Sequence, residues 1–312
     1  MKKVQVQFLH VGWGDAHLIR LPSGSITLID GGDGTFSADQ DHPLSWMVRQ
    51  GISHLDWLIL THIHEDHLNG LLDIAITKTV SKAVLPYRPF KLMPEAKVRQ
   101  DGSELARRVY GMLNAYLTLI HLLTEQGTEI IWRSDYGTEE QAVLWSEDGA
   151  SLAQLYPWDG AGDPLPAYEI LLQAIEEEDL GVLERFFELS NDDSSVYRLS
   201  FEREPDKSIL FGGDLLEAGW ERLAQRMDLQ SWVWKVSHHG LPDAFNARVM
   251  EWINPIHCVI PISADRCGNM RPGWESLRSV SGASICLTGQ AEDGIPRRLE
   301  SETAIIDIGY GD

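Results

Sequence analysis

Three observations predict an α/β (α+β) protein. Short stretches alternate apolar and polar residues, helical apolar spacing lies between them, and the second half repeats the first half's layout of strands followed by a helix. The composition agrees, because 43% hydrophobic and 23% charged residues over 312 positions make a globular chain with a sizeable core. Eleven Trp against eight Phe and eight Tyr suit broad sheet faces and clefts better than disorder. The length allows one large domain or two ordinary ones. No linker-like composition flanks the helical part, so residues 1–312 read as a single domain with a helical insertion at about 88–190.

The first third is β-rich. Residues 4–9 alternate, Gly12 and Gly14 make a turn, residues 16–21 alternate again, and 26–30 form a third strand ending in Gly31-Gly32. Residues 43–50 form a short helix, and 55–61 a buried strand that runs straight into a histidine cluster. Apolar spacing through Leu105, Val109, Met112, Leu113, Tyr116, Leu117 and Ile120 predicts a helix over about 102–126, stopped by Gly127. A second helix covers about 167–188, with strands at 129–132 and 152–156 and a loop at 157–164 between the two. Strands follow at 196–201, 208–211, 232–236, 257–260 and 304–308, with helices at 216–225 and 246–252.

The net charge is −21. Such a surface repels phosphate backbones and disfavours tight, sequence-independent binding of long nucleic acid without a local basic groove. The run Glu176-Glu177-Glu178-Asp179 reads as a solvated helix face. Cys258, Cys267 and Cys286 are odd in number and form no C-x-x-C, which excludes a disulfide framework and a zinc knuckle. No window approaches the ~20 apolar residues of a membrane span, and the start shows no signal peptide. The expected compartment is the cytoplasm.

Residues 61–70 place His62, His64, Asp66 and His67 within six positions. Side chains at i and i+2 of a strand end point the same way, so His62 and His64 can share an ion. Asp66 and His67 follow the turn and can face a second ion. Imidazole and carboxylate suit Zn, Fe(II) and Mn. Two further strands end in ligand types: 208–211 leads into Gly212-Gly213-Asp214, a carboxylate suited to bridging two metals, and 232–236 leads into His238-His239-Gly240.

This order, H-x-H-x-D-H, then strand–Gly-Asp, then strand–His, resembles the metallo-β-lactamase fold superfamily. Residues 8–32 are similar to the opening of one branch, the metallo-hydrolase domain of the ComEC-type competence protein and its stand-alone relatives, and residues 152–157, 190–200, 208–215 and 235–240 also fit it. The resemblance implies a four-layer αββα sandwich with a dinuclear centre of Zn or Mn at one edge. It implies His62 and His64 on the first metal, Asp66, His67 and a C-terminal His on the second, and Asp214 between them. Asp30 would accept a ligand imidazole N–H from behind. The H-G pair favours His239 as the C-terminal ligand and leaves His238 as a proton donor or supporting residue.

Two departures stand out. Many members carry another His where this chain has Asn191, a weak, hard ligand that would lower zinc affinity at the first position and favour Mn or partial occupancy. Asp192 or Asp193 could substitute for it, or Asn191 could simply cap a turn. Where relatives carry His-Pro, this chain has Arg271-Pro272, so Arg271 could clamp a substrate phosphate.

Two divalent ions ~3.5–4 Å apart can hold a hydroxide at neutral pH and polarise the bond attacked. The expected function is therefore a metal-dependent phosphodiesterase or nuclease acting on a nucleotide or nucleic-acid substrate, with Asp66, His238 and Arg271 as catalytic residues. A thioester, lactone or lactam hydrolase is the alternative among enzymes. From another class, a catalytically weakened subunit could act as an interaction module with a protein partner. A nuclease should line its approach with cations such as Lys82, Arg88, Lys235 and Arg271, whereas a module should expose an apolar patch, for example from Trp13, Trp46, Trp158 and Trp220.

Overall fold

The computed structural model describes residues 3–35, 37, 40–133, 142–157, 166–288 and 304–309. The strands are β1 Lys3–Phe8, β2 His17–Arg20, β3 Ile26–Ile29, β4 His54–Ile59, β5 Thr79–Leu85, β6 Glu129–Trp132, β7 Ala142–Glu147, β8 Ala150–Tyr156, β9 Val196–Phe201, β10 Ile209–Phe211, β11 Val233–Lys235, β12 His257–Pro261, β13 Ser284–Thr288 and β14 Ala304–Gly309. The helices are α1 Pro43–Arg49, α2 Glu65–Thr77, α3 Glu95–Asp101, α4 Glu104–Glu125, α5 Pro166–Glu177, α6 Leu180–Leu189, α7 Glu217–Ala224, α8 Ala247–Ile253 and α9 Ala264–Ser281.

The strands form two seven-stranded sheets, ordered β14-β1-β2-β3-β4-β5-β6 and β13-β12-β11-β10-β9-β8-β7. Alternation along each strand decides the layering. In β1, Val4, Val6 and Phe8 pack with Leu152, Tyr197, Leu199, Phe211 and Val233 of the other sheet, so the sheets face each other across one apolar layer. The opposite face of the first sheet, including Leu28 and Leu58, packs under residues of α2, α4, α5 and α6. The outer face of the second, including Leu210, Trp234 and Ile260, packs under α7, α8 and α9. The result is the four-layer αββα sandwich. Among the described residues, no helix is long and apolar enough to cross a membrane.

The stretch from 88 to 190 is threaded through both sheets. It contributes β6 to the edge of one and β7 and β8 to the edge of the other, while α4, α5 and α6 cover the first sheet. The predicted 167–188 helix is two helices, because Glu178 adopts φ 50° and Asp179 accepts hydrogen bonds from the Gly181 and Val182 N–H groups to start α6. Asn269 to Pro272 lie inside α9, with Pro272 in its interior.

Pairing directions bring the functional loops to one edge. β3 runs parallel to β4, and β10 runs parallel to β11, so Asp30, residues 61–67, Asp214 and His239 all follow the carboxyl ends of these strands. β2 and β9 run antiparallel to β3 and β10, which carries Asp15 and residues 190–195 to the same edge.

Candidate metal centre

Two groups of side chains share Asp214. One ligand atom each from Asp66, His67, Asp214 and His239 lie within 4.8 Å of one another, and the same holds for His62, His64 and Asp214. Asp214 Oδ2 is 3.2 Å from His67 Nε2, 3.4 Å from His239 Nε2 and 3.8 Å from His62 Nε2, while Asp66 Oδ2 is 3.2 Å from His239 Nε2. All these groups are buried except Asp66, which is half-buried.

The backbone delivers them under tight constraints. α2 starts directly after His64, so Asp66 and His67 occupy its first turn. Gly14 lets the 9–16 loop lie on that turn, since a Cβ there would sit 2.4 Å from the Asp66 carbonyl oxygen. Gly213 has φ +48°, and its Cβ would meet Ser194 Oγ at 2.3 Å. A glycine there lets the chain turn and aim Asp214, whose N–H donates to that same Oγ at 2.9 Å.

Hydrogen bonds behind the cluster fix which imidazole nitrogen faces inward. Asp30 accepts from the Thr61 N–H at 2.8 Å, from Thr61 Oγ1–H at 2.8 Å, and lies 2.9 Å from His67 Nδ1. With its proton given to Asp30, Thr61 Oγ1 can only accept at 3.1 Å from His62 Nδ1–H. His62 Nε2 then turns an unprotonated lone pair inward. His62 Nε2, His67 Nε2, His239 Nε2 and Asp214 Oδ1 are buried without hydrogen-bond partners.

The electrostatics split the imidazoles. Burial, with other imidazoles alongside, holds His62 well below the ordinary range, and burial pushes His64 down to about 4. Burial also opposes charge on His67 and His239. Asp214 and Asp30 outweigh it for His67, which lies well above its usual value, and Asp214, Asp66 and Asp15 hold His239 up at about 9. Burial would raise Asp66, but His239 and His67 bring it to about 2, and the same two imidazoles hold Asp214 well below the carboxylate range. Asp15 lies beneath His239, with Oδ1 3.5 Å from Nδ1, and pairs with the fully buried Lys235. The Lys235 ammonium also donates to the Gly213 carbonyl at 2.9 Å and sits 3.9 Å from Asp214 Oδ1. A third group, Asp15, Asp30 and His67, is buried as well. Its carboxylates are already engaged by Lys235 and Thr61.

The remaining predicted residues fall in different places. His238 stands outside the cluster, with Nδ1 3.0 Å from Asp243 and Nε2 3.3 Å from Asn191 Nδ2. The Asn191 Oδ1 atom is buried and has no hydrogen-bond partner. Asp193 is unsuited to replace Asn191, because Arg133 and the Tyr87 hydroxyl engage its carboxylate at 2.7 and 2.6 Å. Burial raises the pKa of Asp192, whose backbone carbonyl accepts from Tyr156. Arg271 pairs with Glu275 on its own helix. Lys235 lies beneath the centre instead of lining its approach, because only there can its charge meet Asp15. Lys82 pairs with Glu129, and Arg88 lies over Trp132. Trp46 and Trp220 are buried, Trp13 is half-buried against His239, and Trp158 lies outside the described residues.

Asp15, Lys235 and Ser190, whose Oγ lies 2.5 Å from His64 Nε2, were not singled out as parts of the centre from sequence. A lysine inside the apolar run Val233-Trp234-Lys235-Val236 was the available signal, since buried lysine needs a partner.

No curated protein matches this sequence. Among solved structures, the chain is similar to CmlA, a diiron β-hydroxylase from Streptomyces venezuelae, with 12% identity and TM-score 0.50. That match covers 98% of this chain and 54% of CmlA, so the chain spans about half of that protein's length. It is also similar to YhfI from Bacillus subtilis, a metallo-β-lactamase fold protein (11% identity, 91% and 96% coverage, TM-score 0.47), and to a diphosphatase of the PhnP family (13% identity, 95% and 98% coverage, TM-score 0.44). The family model described as the metallo-beta-lactamase superfamily matches residues 12–237, a span that contains His62, His64, Asp66, His67 and Asp214 and stops two residues short of His239. With the αββα layers and the edge site already in place, that match shows that the chain belongs to the metallo-β-lactamase superfamily.

Proposed function

We propose that the protein is a metal-dependent phosphodiesterase acting on a nucleotide or nucleic-acid substrate with two divalent ions, Zn or Mn. We also read it as a stand-alone relative of the ComEC-type hydrolase domain that works in the cytoplasm. The observation that carries the metal reading is the convergence on Asp214 of buried imidazole and carboxylate atoms that make no hydrogen bond. Such atoms cost stability unless a cation joins them.

His62, His64 and the Asn191 amide oxygen would hold the first ion, with Asp66, His67 and His239 holding the second and Asp214 reaching both. When bound, the ions supply Lewis-acid polarisation of a phosphoryl oxygen and activation of water. The chain's own share is positional. Asp30 and Thr61 set the tautomers of His62 and His67, and Asp15 backs His239. Phe187 and Trp13 pack on the rings of His64 and His239 and keep water off them. Asp243 takes the Nδ1 proton of His238, whose Nε2 then accepts from the Asn191 amide. This leaves the Asn191 oxygen as the free end, so His238 acts through Asn191 rather than as a proton donor.

The test is metal content by plasma mass spectrometry for the wild type, His64→Ala and Asp214→Asn, followed by a screen of phosphodiesters, thioesters and lactones with the metal found. About two equivalents, lost in part from His64→Ala and largely from Asp214→Asn, with diester turnover, are expected. Absence of metal after reconstitution would overturn the metal reading. Turnover confined to thioesters or lactones would overturn the phosphodiester reading.

A further inference from the structure

Two arginine-on-aromatic stacks border the centre. On one side Phe187 stacks on His64, with ring centroids 4.4 Å apart, and Arg108 lies 5.1 Å from the Phe187 ring. Glu65 already accepts from Arg108 Nε at 2.6 Å, so that cation is neutralised locally. On the other side Trp13 lies 4.6 Å from His239, and the Arg266 guanidinium lies 3.9 Å from the Trp13 ring centroid. Arg266 is exposed and has no carboxylate partner among the described residues.

The stacks therefore differ in what they offer. A guanidinium lying on a ring spends its face on the π system and keeps its N–H edge for in-plane, bidentate donation. Planar two-point donation matches a phosphate bearing two unesterified oxygens. The chain as a whole is acidic, at −21, so a cation without a carboxylate partner among the described residues, one ring away from His239, is a local exception. Trp13 is pinned between Gly12 and Gly14, the latter in close approach to Asp66, which fixes the stack relative to the centre.

We infer that Arg266, held over the Trp13 ring, is the anion clamp of the site and selects a charged phosphodiester over a neutral ester. The inference rests on the phosphodiesterase reading above and assigns to Arg266 the role that the sequence suggested for Arg271.

The test uses the metal-loaded full chain, with bis(p-nitrophenyl) phosphate as the anionic substrate, p-nitrophenyl acetate as the neutral one and inorganic phosphate as inhibitor. Arg266→Met keeps a stem on Trp13 and removes the donors. It should raise KM for the diester and weaken phosphate inhibition by about tenfold or more, since hydrogen bonds to charged groups are worth that much. Diester kcat, metal content and acetate KM should stay within about twofold, and Arg266→Lys should recover part of the loss. An unchanged diester KM and phosphate inhibition in Arg266→Met would overturn the clamp while leaving the phosphodiesterase reading intact. An equal rise in KM for both substrates would mark a merely structural role and also overturn it. A wild type that turns over only the neutral ester would overturn the phosphodiesterase reading and the clamp together.

Discussion

Thr61 serves two imidazoles through one hydroxyl. Its proton goes to Asp30, which also takes the His67 Nδ1–H, and its oxygen receives the His62 Nδ1–H. Thr61→Val removes that relay without opening a cavity, and metal affinity measured against a competing chelator should fall about 10–100-fold. Asn191→His should tighten metal at the first position and make it insensitive to His238→Ala. In the wild-type background His238→Ala should weaken binding, because the Asn191 amide loses its guide. Protonation gives a further expectation for the metal-free chain. His64 titrates near 4 against an unfolded value of 6.5, so the unfolded state binds more protons between those pH values and stability rises across them. His239 titrates near 9, so the folded state binds the extra proton from 6.5 to 9 and stability declines there. Calorimetry in chelator should therefore find a maximum Tm near pH 6.5.

At the scale of elements, α2 is held against the loop after β3 by a contact between glycines. A Cβ on Gly70 would sit 1.8 Å from the Gly31 carbonyl oxygen. Gly70→Ala must push α2 outward, carrying Asp66 and His67 with it; we expect a loss of about 1–3 kcal/mol in thermal unfolding together with weaker metal binding. The turn bearing Ser190 and Asn191 is anchored by the buried Arg133–Asp193 pair. Arg133→Met would strand that carboxylate and should cost about 3–5 kcal/mol in denaturant unfolding.

The elements legible in sequence were those whose pattern is local. The alternation of β1, the apolar stripe of α4 and the β4 strand running into histidines all stand close to their predicted limits. The β7–β8 hairpin was half seen. Its turn, Asp148-Gly149, with φ 54° and 73°, is an Asp-Gly signal, but Ala142 to Glu147 lacks clean alternation. α9 was missed because Gly268, Pro272 and Gly273 all argue against a helix. Within the cluster, the histidines and aspartates from His62 to His67 stand out by their spacing, whereas Asp15, Lys235 and Ser190 depend on which strands lie side by side. That information sits in the topology and in no local window.

For the molecule as a whole, the charge of −21 would set how the anionic substrate of the proposed reaction arrives. It would approach against a repulsive field, and salt screens that field over about 8–10 Å. Diester kcat/KM should therefore rise with moderate NaCl, the reverse of the behaviour of a basic nuclease; a steep fall would point to a concentrated cationic approach. The location of the donor set carries one more consequence. His62, His64, Asp66 and His67 come from the first sheet, while Asp214 and His239 come from the second. The donor set thus bridges the seam between the two halves of the sandwich, and any cation binding there ties them together as a crosslink would. Ion occupancy and the cohesion of the two sheets then become a single equilibrium, with thermal stability following free metal concentration by mass action.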